Sequence, residues 1–103
     1  MIAQLRGEIV QIDGNSVIMD VGGVGYALSV SGRTQGLLSG KTGMVTVLTD
    51  MQVREDSMTL YGLADSAERD AFRLLVTVQG VGAKAAMAIL SVLSPDALAT
   101  AIM

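Results

Sequence analysis

The chain has 103 residues and a formal net charge of −3, and half of its residues are hydrophobic, which suffices for a packed core in one domain or slightly more. It contains no cysteine and no histidine, which excludes disulfides and thiolate or imidazole metal sites and removes the usual general base. We therefore expect no catalytic residues, no metal and no cofactor. The longest apolar runs fall short of the roughly 20 residues of a membrane span, and Arg6 interrupts the apolar centre that a signal peptide needs. We expect a cytoplasmic protein without membrane contact.

The first 62 residues have the period-two alternation of β-strands. Asp13-Gly14-Asn15 is typical of a tight hairpin turn, and Gly22-Gly23 predicts a second turn. The five predicted strands lie, in order, near residues 2–12, 16–21, 26–30, 44–53 and 57–61.

The first predicted strand is long and changes face partway. Leu5 and Ile9 share one face, whereas Val10 and Ile12 share the other, and Gly7 lies near the switch, where a bend or bulge costs little. Five strands with a long bent first strand favour a small closed barrel of the OB-fold type.

From Asp65 onward the apolar period becomes helical. Asp65 and Glu68 predict a capping box, and apolar residues follow at helical spacing up to Val78. The residues of this predicted stripe are Ala67, Ala71, Leu74, Leu75 and Val78. A second helix is predicted from about Ala83, with a stripe of Ala85, Ala86, Ile89, Leu90 and Leu93. Ser94-Pro95-Asp96 predicts the start of a third helix, which continues to the end of the sequence. The fold class is therefore α+β, a barrel followed by helices.

A glycine-rich turn joins the first two of these helices. The free amides at the start of the second helix, together with the helix dipole and Lys84, predict an anion site that suits a DNA phosphate. The residues of this predicted site are Gly80, Val81, Gly82, Ala83 and Lys84. A plain helical hairpin, in which glycine serves geometry alone, explains the same motif. A third reading, a dinucleotide fingerprint over Gly80–Ala85, requires a strand at 74–78 and an acid about 20 residues downstream.

Arg54, Glu55 and Asp56 lie between the fourth and fifth predicted strands. Adjacent carboxylates at a hairpin tip are usually solvated turn residues, and a metal site lacks a third ligand nearby in sequence. In a DNA-binding protein, however, carboxylates near phosphates repel them and so exclude wrong geometries. The whole chain has three aromatic residues, Tyr26, Tyr61 and Phe72, too few for a barrel that stacks single-stranded bases.

The order and spacing of several motifs resemble the RuvA family, whose members bind four-way (Holliday) DNA junctions. The matching motifs are Leu5-Arg6-Gly7, Val21-Gly22-Gly23-Val24-Gly25-Tyr26, Val53-Arg54-Glu55-Asp56, Leu60-Tyr61-Gly62 and Gly80-Val81-Gly82-x-Lys84. Alanine at position 83 departs from the proline that many members carry.

The resemblance implies an OB-fold domain at 1–63, which mediates oligomerisation and carries an acidic pin of Glu55 and Asp56. It also implies the first, incomplete part of a helix-hairpin-helix domain at 64–103, in which the Gly80–Lys84 turn holds phosphates. Arg54 lies next to the pin. The family's second hairpin and its C-terminal domain are expected to be missing.

The partners implied by the resemblance are four-way junction DNA, further copies of the chain in a homotetramer or paired tetramers, the RuvB motor and the RuvC resolvase. The family's C-terminal domain docks on RuvB, which hydrolyses ATP, so the chain itself is expected to be non-catalytic. Three alternatives are a generic duplex-DNA-binding module, a scaffold with an inert hairpin, and a dinucleotide-binding enzyme fragment.

Overall fold

The computed structural model describes residues 1–102. Five strands close into one barrel in the order β1-β2-β3-β5-β4, which confirms the predicted five-stranded barrel. Only β3 and β5 pair in parallel, through Ser29 with Tyr61 and Val30 with Gly62. The strands are β1 (Gln4–Asp13), β2 (Ser16–Val21), β3 (Val24–Val30), β4 (Met44–Val53) and β5 (Met58–Leu63).

The bend in β1 lies at a different residue from the predicted one. The register against β2 shifts between Ile9 and Gln11, so the bulge falls at Val10, whose side chain is exposed. The extra residue returns Ile12 to the face of Leu5 and Ile9, and all three pack in the barrel core. Gly7 has another role, because a Cβ at that position would overlap the carbonyl oxygen of Asp20 on β2.

A short helix between β3 and β4, α1 (Gly32–Ser39), was not predicted from the sequence. Ser31 caps it by accepting a hydrogen bond from the Thr34 amide, and only Thr34 and Leu38 are buried within it. Eight residues with two buried positions give too weak a periodic signal to predict a helix.

The three predicted helices are confirmed as α2 (Ser66–Val76), α3 (Ala83–Val92) and α4 (Pro95–Ile102). Asp65 caps α2 by accepting from the Glu68 amide, and Ser94 Oγ accepts from the Ala97 amide at the start of α4. The Glu68 carboxylate, however, does not complete the capping box, because it accepts from the Ala64 amide.

The apolar stripes are partly different from the predicted ones. In α2, Leu74 is exposed and Val78 lies beyond the helix end, whereas Phe72 is fully buried. In α3, Ala86 and Leu90 are buried as predicted and Ile89 is half-buried, but Ala85 and Leu93 are exposed and Met87 is buried instead.

Two hydrophobic cores meet at the end of β5. One fills the barrel, and the other lies among α2, α3 and α4 and includes Leu63 from β5. The rings of Tyr61 on β5 and Phe72 on α2 lie 5.3 Å apart, centroid to centroid, across the junction between them. Within residues 1–102, no helix is long and apolar enough to cross a membrane.

Candidate nucleic-acid interface

The turn between α2 and α3 is built on one left-handed glycine. Gly80 has a φ of +87°, a conformation that side chains rarely adopt. The Val81 amide donates to the Val78 carbonyl at 3.0 Å, and the Val81 side chain packs against the helical core. Val81 therefore anchors the turn, while its amide is already bonded within the protein.

The first turn of α3 leaves its amides uncapped. Gly82 occupies the cap position in an extended conformation, with a φ of −87°, and no side chain accepts a hydrogen bond there. The first helical bond runs from the Ala86 amide to the Gly82 carbonyl at 2.9 Å, so the amides of Ala83, Lys84 and Ala85 precede it. The other three helices each begin with a side-chain cap, from Ser31, Asp65 and Ser94 respectively.

Charge at this helix start is opposite to what stabilises a helix alone. The first turn of α3 contains no acidic residue, and Lys84 lies within it. A cation near the positive end of the dipole is unfavourable by a few tenths of a kcal/mol or more until an anion binds between them. Uncapped amides and a nearby lysine are the features that the predicted phosphate site requires, and the site itself stays a prediction.

The segment before the turn contradicts the dinucleotide-binding interpretation. That interpretation requires a strand at 74–78 leading into the glycines, but residues 74–76 belong to α2 and Thr77 is its C-cap. A helix that precedes the turn cannot supply the strand-to-helix geometry of a dinucleotide fold.

The β4–β5 hairpin ends in a tight, charged tip. The Arg54 amide donates to the Ser57 carbonyl at 2.7 Å, which closes the turn and leaves Glu55 and Asp56 exposed at its end. Among residues 1–102, neither carboxylate has a cationic group within 4 Å. The same residues contain no cluster of three acidic side chains placed to hold a metal ion.

The structure brings the tip and the helical turn together at one groove of about 360 Å³. Arg54 and Asp56 line it from the barrel, and Gly82, Ala83 and Lys84 line it from α3. A Cβ added to Gly82 would lie 3.3 Å from Nη2 of Arg54, so glycine at position 82 leaves room for this guanidinium. Glu55, Gly80 and Val81 lie outside the lining.

The groove has a small excess of positive charge in an acidic protein, because Arg54 and Lys84 line it together with one carboxylate, that of Asp56. Arg33, Arg69 and Arg73 form ion pairs with carboxylates, whereas the other four basic residues have no such partner among the described residues. Those four are Arg6, Lys41, Arg54 and Lys84, and the last two line the groove. Local cations therefore oppose the overall charge at this place.

The sequence predicts Lys84 as a phosphate ligand but places Arg54 only beside the acidic tip. Nothing in the sequence indicates that the Arg54 side chain approaches Gly82.

The aromatic residues are used for packing. Phe72 is fully buried, which removes it from any stacking surface, and Tyr61, which packs on it, is the single aromatic residue that lines the groove. This barrel is consequently poorly suited to bind single strands through base stacking.

Comparisons with known proteins agree with this architecture. Residues 1–62 match the family model described as the RuvA N terminal domain. Subunits of the "Holliday junction branch migration complex" named RuvA are 51% identical over 99% of this chain in Zymomonas mobilis subsp. mobilis, and 54% identical over 96% in Gluconacetobacter diazotrophicus. The chain spans about half the length of these relatives, 48% and 50% respectively. The match covers the barrel and the helical turn alike, and the chain belongs to the RuvA family.

Proposed function

We propose that this chain is a non-catalytic DNA-binding subunit that recognises four-way junctions by their structure and not by their sequence. The observation that carries the proposal is the groove in which Asp56 of the acidic tip lies beside Lys84 and the uncapped start of α3. The names of the relatives, which refer to a Holliday junction branch migration complex, support the same function.

The attractive element is the turn at residues 80–84. The amides of Ala83, Lys84 and Ala85 are free to donate to phosphate oxygens, and the Lys84 ammonium adds a charge-assisted contact. Arg54 reaches the same place from the barrel. Contacts of this kind fix the position of the DNA backbone without reading bases, which accounts for sequence-independent binding.

The repelling element is the pin formed by Glu55 and Asp56. Each close carboxylate–phosphate pair costs about 1 kcal/mol in water-like surroundings and more where water is excluded. A continuous duplex that follows the groove would bring phosphates near Asp56, which lines it, and would reach Glu55 only where it passes the end of the tip. Strands that part in front of the tip, as they do at a junction centre, avoid this penalty.

The assembly follows from the symmetry of the ligand. A four-way junction has four arms around one axis, so four copies in a cyclic tetramer would place one hairpin on each arm and four pins at the centre. In this proposal residues 1–63 form the oligomerising barrel and residues 64–103 the first part of the DNA-binding domain. Docking on the RuvB motor belongs to a C-terminal domain outside these 103 residues, and a contact with RuvC belongs to the assembled complex.

The test is competition binding, at a fixed and stated salt concentration, between a synthetic four-way junction and a linear duplex of equal length. We expect the native chain to prefer the junction. Neutralising the pin with Glu55→Gln and Asp56→Asn is expected to tighten duplex binding by about fivefold for each close pair relieved, which reduces the preference.

A matched control removes the same two charges elsewhere. Glu8 and Asp96 are exposed and unpaired among the described residues, and neither lines the groove, so Glu8→Gln with Asp96→Asn should leave the preference unchanged. Equal affinity of the native chain for both DNAs would reduce it to a generic duplex binder. Binding to neither would favour a scaffold with an inert hairpin.

A further inference from the structure

Glu68 is a fully buried carboxylate on α2 that no part of the DNA-binding proposal uses. Its oxygens accept hydrogen bonds from Ser31 Oγ at 3.0 Å, from Thr34 Oγ1, from Arg33 Nη1 at 3.3 Å and from the Ala64 amide at 3.1 Å. Three of these donors belong to α1 and its cap, that is, to the connection between β3 and β4 of the barrel. We call Ser31, Arg33, Thr34 and Glu68 the polar clamp.

The start of α2 does not require this carboxylate. Asp65 already caps the helix through the Glu68 amide at 2.9 Å. A buried ion pair also adds little to the free energy of unfolding, because the desolvation of its charges offsets most of their attraction. An apolar side chain of similar size often gives the same stability. What a set of directional bonds adds over apolar contact is a fixed orientation between the elements it joins.

A second bond extends the connection to α3. The Gly32 amide, in the first turn of α1, donates to Ser91 Oγ at 2.7 Å. The first turn of α1 is therefore bonded to both helices of the hairpin. Lys84 lies seven residues before Ser91 on α3, about 10 Å along the helix axis, so a rotation at Ser91 displaces the phosphate site.

We propose that Glu68 is a positioning residue: through the polar clamp it fixes the hairpin relative to the barrel, so that the phosphate site and the acidic pin keep one separation. This inference rests on the proposed function for its consequence in DNA binding. Its structural part, a fixed geometry between barrel and hairpin, is independent of DNA and can be tested without it.

The first experiment measures that geometry. The chain has no cysteine, so Val24→Cys on the barrel and Ala85→Cys on α3, both exposed, can carry spin labels without background. In this labelled chain we compare Thr34→Val, which removes one clamp donor, with Thr49→Val, which removes an equally buried hydroxyl that donates to the Ile2 carbonyl inside the barrel at 2.7 Å. We expect Thr34→Val to broaden or shift the distance distribution and Thr49→Val to leave it unchanged.

Two changes at Glu68 itself grade the effect. Glu68→Ala removes both carboxylate acceptors and is expected to broaden the distribution most, whereas Glu68→Gln keeps one acceptor oxygen and is expected to broaden it less. If Glu68→Ala does not fold, Thr34→Val decides. A native distribution in Thr34→Val, or in a folded Glu68→Ala, would overturn the inference.

The second experiment connects geometry to DNA. We expect the ratio of junction to duplex affinity to fall about threefold in Thr34→Val and to remain native in Thr49→Val. A changed distance with an unchanged ratio would overturn the positioning role. If the native chain itself shows no junction preference, the proposed function fails, while the spin-label result still decides whether the clamp fixes the hairpin.

Discussion

Two glycine clusters in this molecule look alike in sequence and differ in what surrounds them. Gly22 and Gly23, with φ values of +59° and +91°, turn the chain between β2 and β3, and Gly80, with +87°, turns it between α2 and α3. At the first turn the Gly23 amide is already occupied, since it donates to Asp20 Oδ1 at 3.0 Å. At the second turn the amides that follow Gly82 have no side-chain cap and Lys84 lies beside them.

The difference teaches that glycine spacing does not by itself define a phosphate site. Both turns need left-handed glycine, but only the second leads into a helix, where free amides and a dipole point the same way. The first turn even brings its own carboxylate, so the Gly23 amide is occupied and the local charge is unfavourable for an anion. Variants at the two turns can therefore separate the effect of turn geometry from the effect of anion binding.

The largest expected effect is that of charge reversal at the helical turn. Lys84→Glu replaces an attraction to phosphate by a repulsion, which we expect to weaken junction binding by about 2 kcal/mol, roughly thirtyfold at low salt. The slope of log affinity against log salt concentration should also become shallower, because fewer counterions are released. Titration of a labelled junction at several salt concentrations measures both.

Lys41→Glu is the matched control for this change. Lys41 is exposed and has no carboxylate partner among the described residues, and it lies outside the groove, so its reversal alters the net charge equally. Equal losses in the two variants would mean that overall charge, and not a local site, governs binding.

Alanine at one left-handed glycine of each turn gives the second expected effect. Gly22 and Gly80 both have open space where a Cβ would stand, so the cost of each substitution is the conformational strain alone, about 1–2 kcal/mol of unfolding free energy. Chemical denaturation should therefore show similar losses for Gly22→Ala and Gly80→Ala. Junction affinity should fall several-fold only for Gly80→Ala, whose strain shifts the amides of α3. A comparable affinity loss in Gly22→Ala would remove the distinction between the two turns.

The sequence predicted the parts of the fold that depend on local pattern. Period-two alternation and turn residues were enough for five strands, and the caps at Asp65 and Ser94 placed the starts of α2 and α4. The sequence pattern does not predict the short helix α1, because only two of its residues, Thr34 and Leu38, are buried. The bulge was predicted near Gly7 and lies at Val10, since the close approach of Asp20 and not a bend requires that glycine.

The site was predictable only in pieces. Local rules indicated free amides and a cation at residues 82–84 and an acidic tip at residues 55 and 56. The approach of Arg54 to Gly82 and the bonds from Glu68 to α1 join segments far apart in the chain, so they depend on tertiary packing that no local pattern contains. For the same reason, the sequence predicts a capping box at Glu68, although its carboxylate bonds to the connection between β3 and β4.

The smallest expected effect on stability is also the sharpest test of the uncapped amides. Gly82 has an extended backbone that any residue can adopt, and its nearest neighbour, the end of the Arg54 side chain, can move. Gly82→Asp would supply the missing cap and an acid at the helix start, which we expect to raise the unfolding free energy by about 0.5 kcal/mol. The same carboxylate would occupy the amides and pair with Arg54, so junction affinity should fall about tenfold, the equivalent of roughly 1.4 kcal/mol.

Gly82→Asn, which caps the helix without adding charge, should raise the unfolding free energy similarly and weaken junction binding less. Native affinity in a stabilised Gly82→Asp would show that phosphates bind elsewhere. A higher unfolding free energy together with a lower junction affinity would mean that α3 lacks a side-chain cap because its free amides bind DNA phosphates.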